Sequence, residues 1–224
     1  MTKALSFMKL DFITIKPFLT AKNQLILLLA PCIITFSGGS APFSIGLIMM
    51  FGVTYASYPF SVGEQNGIDF LYTTLSIPRR TVVLGRYLFV FLVDLCAGIL
   101  SYVLTFLLFT LFKKEFDPIT ALPTALAVCG VFLLIQLAQL PIYFKLGFSA
   151  SRTLAYLPYL TFPLIALAVP LLQKYPRAAE FVESAALWIM SNTSLFAILC
   201  VALLLAAAFV SYRISLSVYK KREL

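Results

Sequence analysis

The 224-residue sequence contains no histidine. That absence removes histidine-based zinc sites and both Ser–His and Cys–His catalysis. Charge is scarce too: Asp, Glu, Lys and Arg make up 12% of the chain, where a soluble domain carries about 25%. No G-x-x-x-x-G-K-[ST] stretch occurs, so a phosphate cradle of the P-loop kind is missing from these residues. The N-terminal stretch MTKALSFMKLDFITIK has neither an uninterrupted apolar core nor a small-residue cleavage site, and does not read as a signal peptide. Cysteine is sparse and dispersed. Cys32, Cys96, Cys129 and Cys200 each sit in an apolar run and read as buried small hydrophobes rather than disulfides or metal ligands.

What is present is mostly oil. Hydrophobic residues form 61% of the chain and the mean hydropathy is +0.98. Apolar runs close to the ~20 residues that cross a bilayer recur from end to end. The composition points to an all-α polytopic membrane protein, one transmembrane domain over residues 1–224 with no soluble domain within it. Six spans are expected, at about 24–37, 43–60, 87–112, 122–144, 154–172 and 195–212. The first is short and holds Pro31, and the fifth holds Pro158 and Pro163 and should be bent. The chain is expected to be non-catalytic and to bind neither cofactor nor metal.

The net charge of +8 is explained by topology. With both termini and the second and fourth loops on the cytosolic side, thirteen Lys and Arg lie inside. Only Lys113, Lys114, Lys174 and Arg177 lie outside. That is the positive-inside bias, and it argues against a nucleic-acid partner. The expected location is a bacterial cytoplasmic membrane, with the lipid bilayer itself as a partner.

Near the N-terminus, Leu5, Met8, Phe12, Ile15 and Leu19 fall on one helical stripe, and Pro17 interrupts the helix. The pattern predicts an interfacial helix on the cytosolic leaflet. Lys174–Asn192, with Glu180, Glu183 and Trp188, predicts a short outer helix before the sixth span.

The longest polar interval, Ser61–Leu88, reads SVGEQNGIDFLYTTLSIPRRTVVLGRYL. Ser61 and Glu64 fit an S-x-x-E capping box, which predicts a new helix leaving the second span. Ile68, Leu71, Tyr72 and Leu75 then make an amphipathic stripe ended by Pro78. Such a stripe needs a cover: the membrane, its own bundle, or a partner. Arg79, Arg80 and Arg86 read as anchors at headgroup level.

Inside the spans, Asp94 is the exceptional residue. An acid at mid-membrane costs about 2.5–3.5 kcal/mol on insertion scales, so it should face the bundle interior or water. It either lines a substrate path or hydrogen-bonds a neighbouring span. Gln136 and Gln139, one turn apart, read as interhelical glue.

The run from Glu64 to Leu88 resembles the elbow of type-2 ABC transporter permeases. In that family an acid after the second span precedes a coupling helix, an slP-x-(S/R)-R turn, and an ivlgKyl opening to the third span. Here these parts are Glu64, Asp69–Leu75, Ser76-Ile77-Pro78-Arg79-Arg80, and Val82-Val83-Leu84-Gly85-Arg86-Tyr87-Leu88. Gly67 and Asp69 depart from the more helix-favouring charged stretch of many members. The resemblance implies a cytosolic coupling elbow at 61–78, a second permease subunit completing the pore, and a separate cytosolic ABC ATPase that binds ATP and Mg. It implies that Glu64 and Asp69 supply charge, and Ile68, Leu71, Tyr72 and Leu75 apolar contact, to that ATPase. Small permeases of this type are also similar to the exporters of phenol-soluble modulins, which suggests amphipathic peptides or hydrophobic compounds as cargo. Two alternatives remain at this point: the substrate-binding membrane subunit of an energy-coupling-factor vitamin importer, and a non-transport assembly or immunity factor.

Overall fold

A computed structural model describes residues 2–68, 72, 74, 77–160, 164 and 174–222. The described residues are almost wholly helical and include no strand. The first helix, α1 (Thr2–Ile15), passes through a 3-10 turn at Lys16–Phe18 into α2 (Ala21–Phe36). Pro17 lies in the turn, and Thr20 restarts the chain as an N-cap whose hydroxyl accepts from Asn23 N at 3.4 Å. The two helices meet at 82°. Where a first span was expected over 24–37, α2 has 16 residues, about 24 Å at 1.5 Å per residue, short of the ~30 Å hydrocarbon core. The bent pair taken together has the length and composition of a broken span or a re-entrant loop.

Among the described residues, four helices are individually long and apolar enough to cross a membrane: α3 (Ala41–Gln65), α4 (Arg79–Leu111), α5 (Pro118–Leu146) and α8 (Thr193–Lys221). All four overrun their apolar sequence runs. Helix α4 begins at Arg79, two turns before the expected Tyr87, because Pro78 sets the N-cap backbone and a hydrogen-bonded helix need not stop at the membrane surface. Helix α5 starts where Asp117 Oδ1 accepts from Ile119 N, with Pro118 at the first position, and stops at Gly147. A short helix, α6 (Phe148–Ser151), and a 3-10 turn (Arg152–Tyr156) follow. Most of the expected fifth span, 154–172, lies outside the described residues. Helix α7 (Pro176–Ser191) stands where the short outer helix was expected.

The capping-box reading of Ser61 does not hold. Helix α3 runs on through Pro59 and Ser61 to Gln65, and Ser61 Oγ accepts from Gln65 Nε2 within the helix. Pro59 and Phe60 are both buried, so packing carries the helix past a residue that would otherwise break it.

The N-terminal stripe is also displaced. Helix α1 buries Phe7, Asp11 and Ile15, while Met8 and Phe12 are half-buried and Leu10 and Ile13 exposed. The cause is a notch on α4: a Cβ on Gly85 would come within 2.7 Å of Phe7 Cδ1, and only glycine leaves room for the ring. Helix α1 is therefore seated on the bundle. The cysteines differ from expectation in burial: all four are free thiols, Cys96 is exposed and the others half-buried.

Candidate functional site

Two ends of the bundle are distinguished by what converges there. At one, Lys114 donates to the Thr35 carbonyl and Phe36 packs edge-on to Phe112. At the other, the ends of α3, α5 and α8 meet the start of α4 and the segment 147–152. The second end holds the elbow and most of the basic residues, and is the candidate site.

Glu64 occupies the last turn of α3, past the apolar run that ends at Phe60. Its Oε2 accepts from Ser149 N at 2.9 Å, joining the elbow to the start of α6. Gly147 makes this approach possible. Its φ of +79° favours glycine, and a Cβ there would lie 2.9 Å from Glu64 Oε2. Burial pushes the Glu64 carboxyl up, but the Ser149 and Phe148 backbone donors and Arg222 outweigh it, so its pKa falls below the usual value. The acid expected to contact an ATPase thus links the end of α3 to the start of α6 within its own chain.

Tyr72 is buried, its ring 4.8 Å from Phe7 at 64°, and Ile68 is half-buried against the same core. These two members of the apolar stripe are covered by the protein's own bundle. Asp69, Leu71 and Leu75 lie outside the described residues. Gln65, Asn66, Thr74 and Arg80 are exposed around them.

Three arginines expected as equivalent anchors prove different. Arg79 Nη1 donates to the carbonyls of Tyr219, Lys220 and Arg222 at 2.7, 2.7 and 3.0 Å. A cation thereby closes the C-terminus of α8, where the last carbonyls lack helical partners. Arg86 is 3% exposed, pairs with Asp11 at 3.3 Å and lies over the Phe60 ring at 4.5 Å. It is an internal residue rather than a headgroup anchor. Only Arg80 remains an exposed surface cation. Asp11 could have been noticed in the sequence as the one acid on the N-terminal helix, opposite in sign to its neighbours Lys9 and Lys16.

Midway along the bundle, Asp94 Oδ1 accepts from Gln136 Nε2 at 2.5 Å, tying α4 to α5. Gln139 Nε2 donates to the Leu154 carbonyl at 2.6 Å. Both glutamines thus bridge elements, as expected of interhelical glue. Tyr87 adds a third bridge, its hydroxyl within 2.6 and 2.8 Å of Ser211 and Ser215 on α8. No cluster of metal-ligating side chains occurs among the described residues.

A polar platform links α3, α4 and α8 with α1 and α6 through Glu64, Arg79, Arg86 and Tyr87. No curated protein and no solved structure matches the chain. The model of a membrane-protein family described as ABC-2 family transporter protein matches residues 6–220, nearly the whole sequence. The chain therefore belongs to the ABC-2 family of transporter membrane proteins, as a multi-pass permease.

Proposed function

We propose that this permease is the membrane-spanning subunit of an ATP-driven exporter, working as a dimer with an ABC ATPase on a separate polypeptide. Its platform end faces the cytosol of a bacterial cell, the side favoured by the basic excess. The observation that carries the reading is the bond from Glu64 to Ser149, which makes the elbow and the 147–152 segment move together.

On this reading the ATPase takes Leu71 and Leu75 of the elbow as its apolar contacts, while Ile68 and Tyr72 hold the elbow to the bundle. Closure of the ATPase dimer displaces the platform. Glu64 passes the displacement to α6, which follows α5 directly, Arg79 to α8, and Arg86 to α1. ATP and ADP states favour different platform positions, and that difference in affinity shifts the pore between its forms. Amphipathic peptides, the cargo of the phenol-soluble modulin exporters that small permeases of this type resemble, or hydrophobic compounds would suit a bundle this apolar.

The test is affinity purification from native membranes with mass spectrometry, on the wild type and on Leu71→Asp. Tyr72→Ala is the control for a loosened elbow. An ATPase that accompanies the wild type and Tyr72→Ala but is lost from Leu71→Asp supports the reading. Absence of any ATPase from the wild type overturns it.

A further inference from the structure

The side of the bundle between α4, α5 and α8 holds a cavity of about 430 Å³. That is within the ~300–1,000 Å³ of small-molecule sites. Its wall is apolar, built from residues such as Leu95, Ile99, Leu126 and Leu204. Leu95, Ile99 and Leu126 are exposed at the bundle surface, so the cavity is open to the side rather than to either end. Helices α4 and α5 are held close beside it by Gly98, where a Cβ would come 2.6 Å from Cys129 Sγ.

Asp94 is the one charged residue in this wall. It is 5% exposed, and Gln136 occupies Oδ1, but Oδ2 has no hydrogen-bond partner among the described residues. Tyr102, the other polar ring in the wall, donates its hydroxyl to the Pro118 carbonyl. One acceptor therefore remains unsatisfied in an otherwise oily cavity. Leaving a buried carboxylate oxygen without a partner is costly, and a donor carrying positive charge relieves that cost most fully.

We infer that this cavity binds an amphipathic organic cation, its ammonium head on Asp94 Oδ2 and its apolar body against α4, α5 and α8. An anionic amphiphile is repelled at Asp94. A neutral one fills the apolar space but brings no charge to the carboxylate. The cavity opens at hydrocarbon depth, so the ligand enters from within the bilayer. The inference deepens the exporter reading and rests on it for the ligand's identity as cargo. Binding itself needs no ATPase.

The test uses the full chain in lipid nanodiscs with Cys32→Ser, Cys96→Ser and Cys200→Ser, leaving Cys129 in the cavity wall as the reporter. N-ethylmaleimide labelling of Cys129 is followed by intact mass spectrometry against decylammonium, decanol or decyl sulfate. Decylammonium should protect at a concentration at least about tenfold lower than decanol, and decyl sulfate least of all. Asp94→Asn, which keeps an oxygen for Gln136, should abolish the preference for decylammonium over decanol. Gly130→Leu fills the cavity from a position where a Cβ meets only Leu204 at 3.7 Å, and should remove protection by both. Equal protection by decylammonium and decanol in the wild type, or an unchanged preference in Asp94→Asn, overturns the inference. Because these arms use the permease alone, absence of a charge preference in a wild-type chain that still captures its ATPase sinks the site and spares the exporter reading. The reverse result sinks the exporter reading and spares the site.

Discussion

Arg86 Nε lies 3.3 Å from Asp11 Oδ1, and neither side chain is more than 4% exposed. The pair joins the N-terminal helix to α4 in the same place where the Phe7 ring fills the notch over Gly85. An ion pair this deep is weak evidence of net stabilisation, since two charges have been taken out of water to make it. Its consequence is positional: it fixes which face of α1 meets the bundle.

Removing one partner of that pair should be worse than removing both. Asp11→Ala or Arg86→Ala removes one partner of a buried ion pair, with an expected cost of about 3–5 kcal/mol. Asp11→Leu combined with Arg86→Met should cost clearly less than the sum of the single changes. Thermal unfolding in detergent, set out as a double-mutant cycle, measures the coupling. Additive losses would show that the two residues do not act as a pair.

The Gly85 notch makes a steric prediction. Gly85→Ala should displace Phe7 and loosen α1, read as faster protease cleavage near residues 2–15. Adding Phe7→Ala should restore protection by vacating the space the new methyl needs. If Gly85→Ala alone leaves cleavage unchanged, the notch is not what seats the helix.

Glu64 should behave as a coupling residue. Glu64→Ala is expected to retain the ATPase in pull-downs while lowering cargo-stimulated ATP turnover several-fold. The pH sense follows from the lowered carboxyl pKa. A depressed acid contributes its interaction above the unfolded-state value, and the link is lost as pH falls through a value below 4.5. Turnover of the wild-type complex should therefore show no Glu64 titration near neutrality. Gly147→Ala, strained by φ and crowded by Glu64, should cost about 1–3 kcal/mol. A neutral Gly147→Ala would mean that the 147–152 segment yields freely.

Arg79 should govern the end of α8. Arg79→Ala removes donors from three carbonyls and should raise hydrogen exchange over residues 216–222 without altering the helix middle. Arg79→Lys should restore part of the protection, since a lysine keeps the charge but not the planar fork. Unchanged exchange in Arg79→Ala would remove this role.

Hydrophobic content, the positive-inside bias and the elbow motif sufficed to read an all-helical membrane protein and its transporter family. The bilayer imposes a length and polarity rule that composition alone must satisfy. Membership in the ABC-2 transporter family leaves the vitamin-importer alternative without footing. For Asp94 the sequence left a substrate path and a hydrogen bond to a neighbouring span equally open, and for Gln136 and Gln139 it favoured interhelical contact, because polar groups in a span must find partners across helices. What the sequence could not convey was which partner each polar residue at the platform end meets. Ser61 resembled a cap but lies inside α3, since a local motif yields to the packing of Pro59 and Phe60. Arg79, Arg80 and Arg86 look alike in sequence and differ in burial because each faces a different neighbour: the end of α8, open surface, and Asp11. Glu64 could be seen as special, but its bond to Ser149 spans 85 residues. Periodicity and composition are local or averaged quantities. A contact of that range is decided only when the helices have packed.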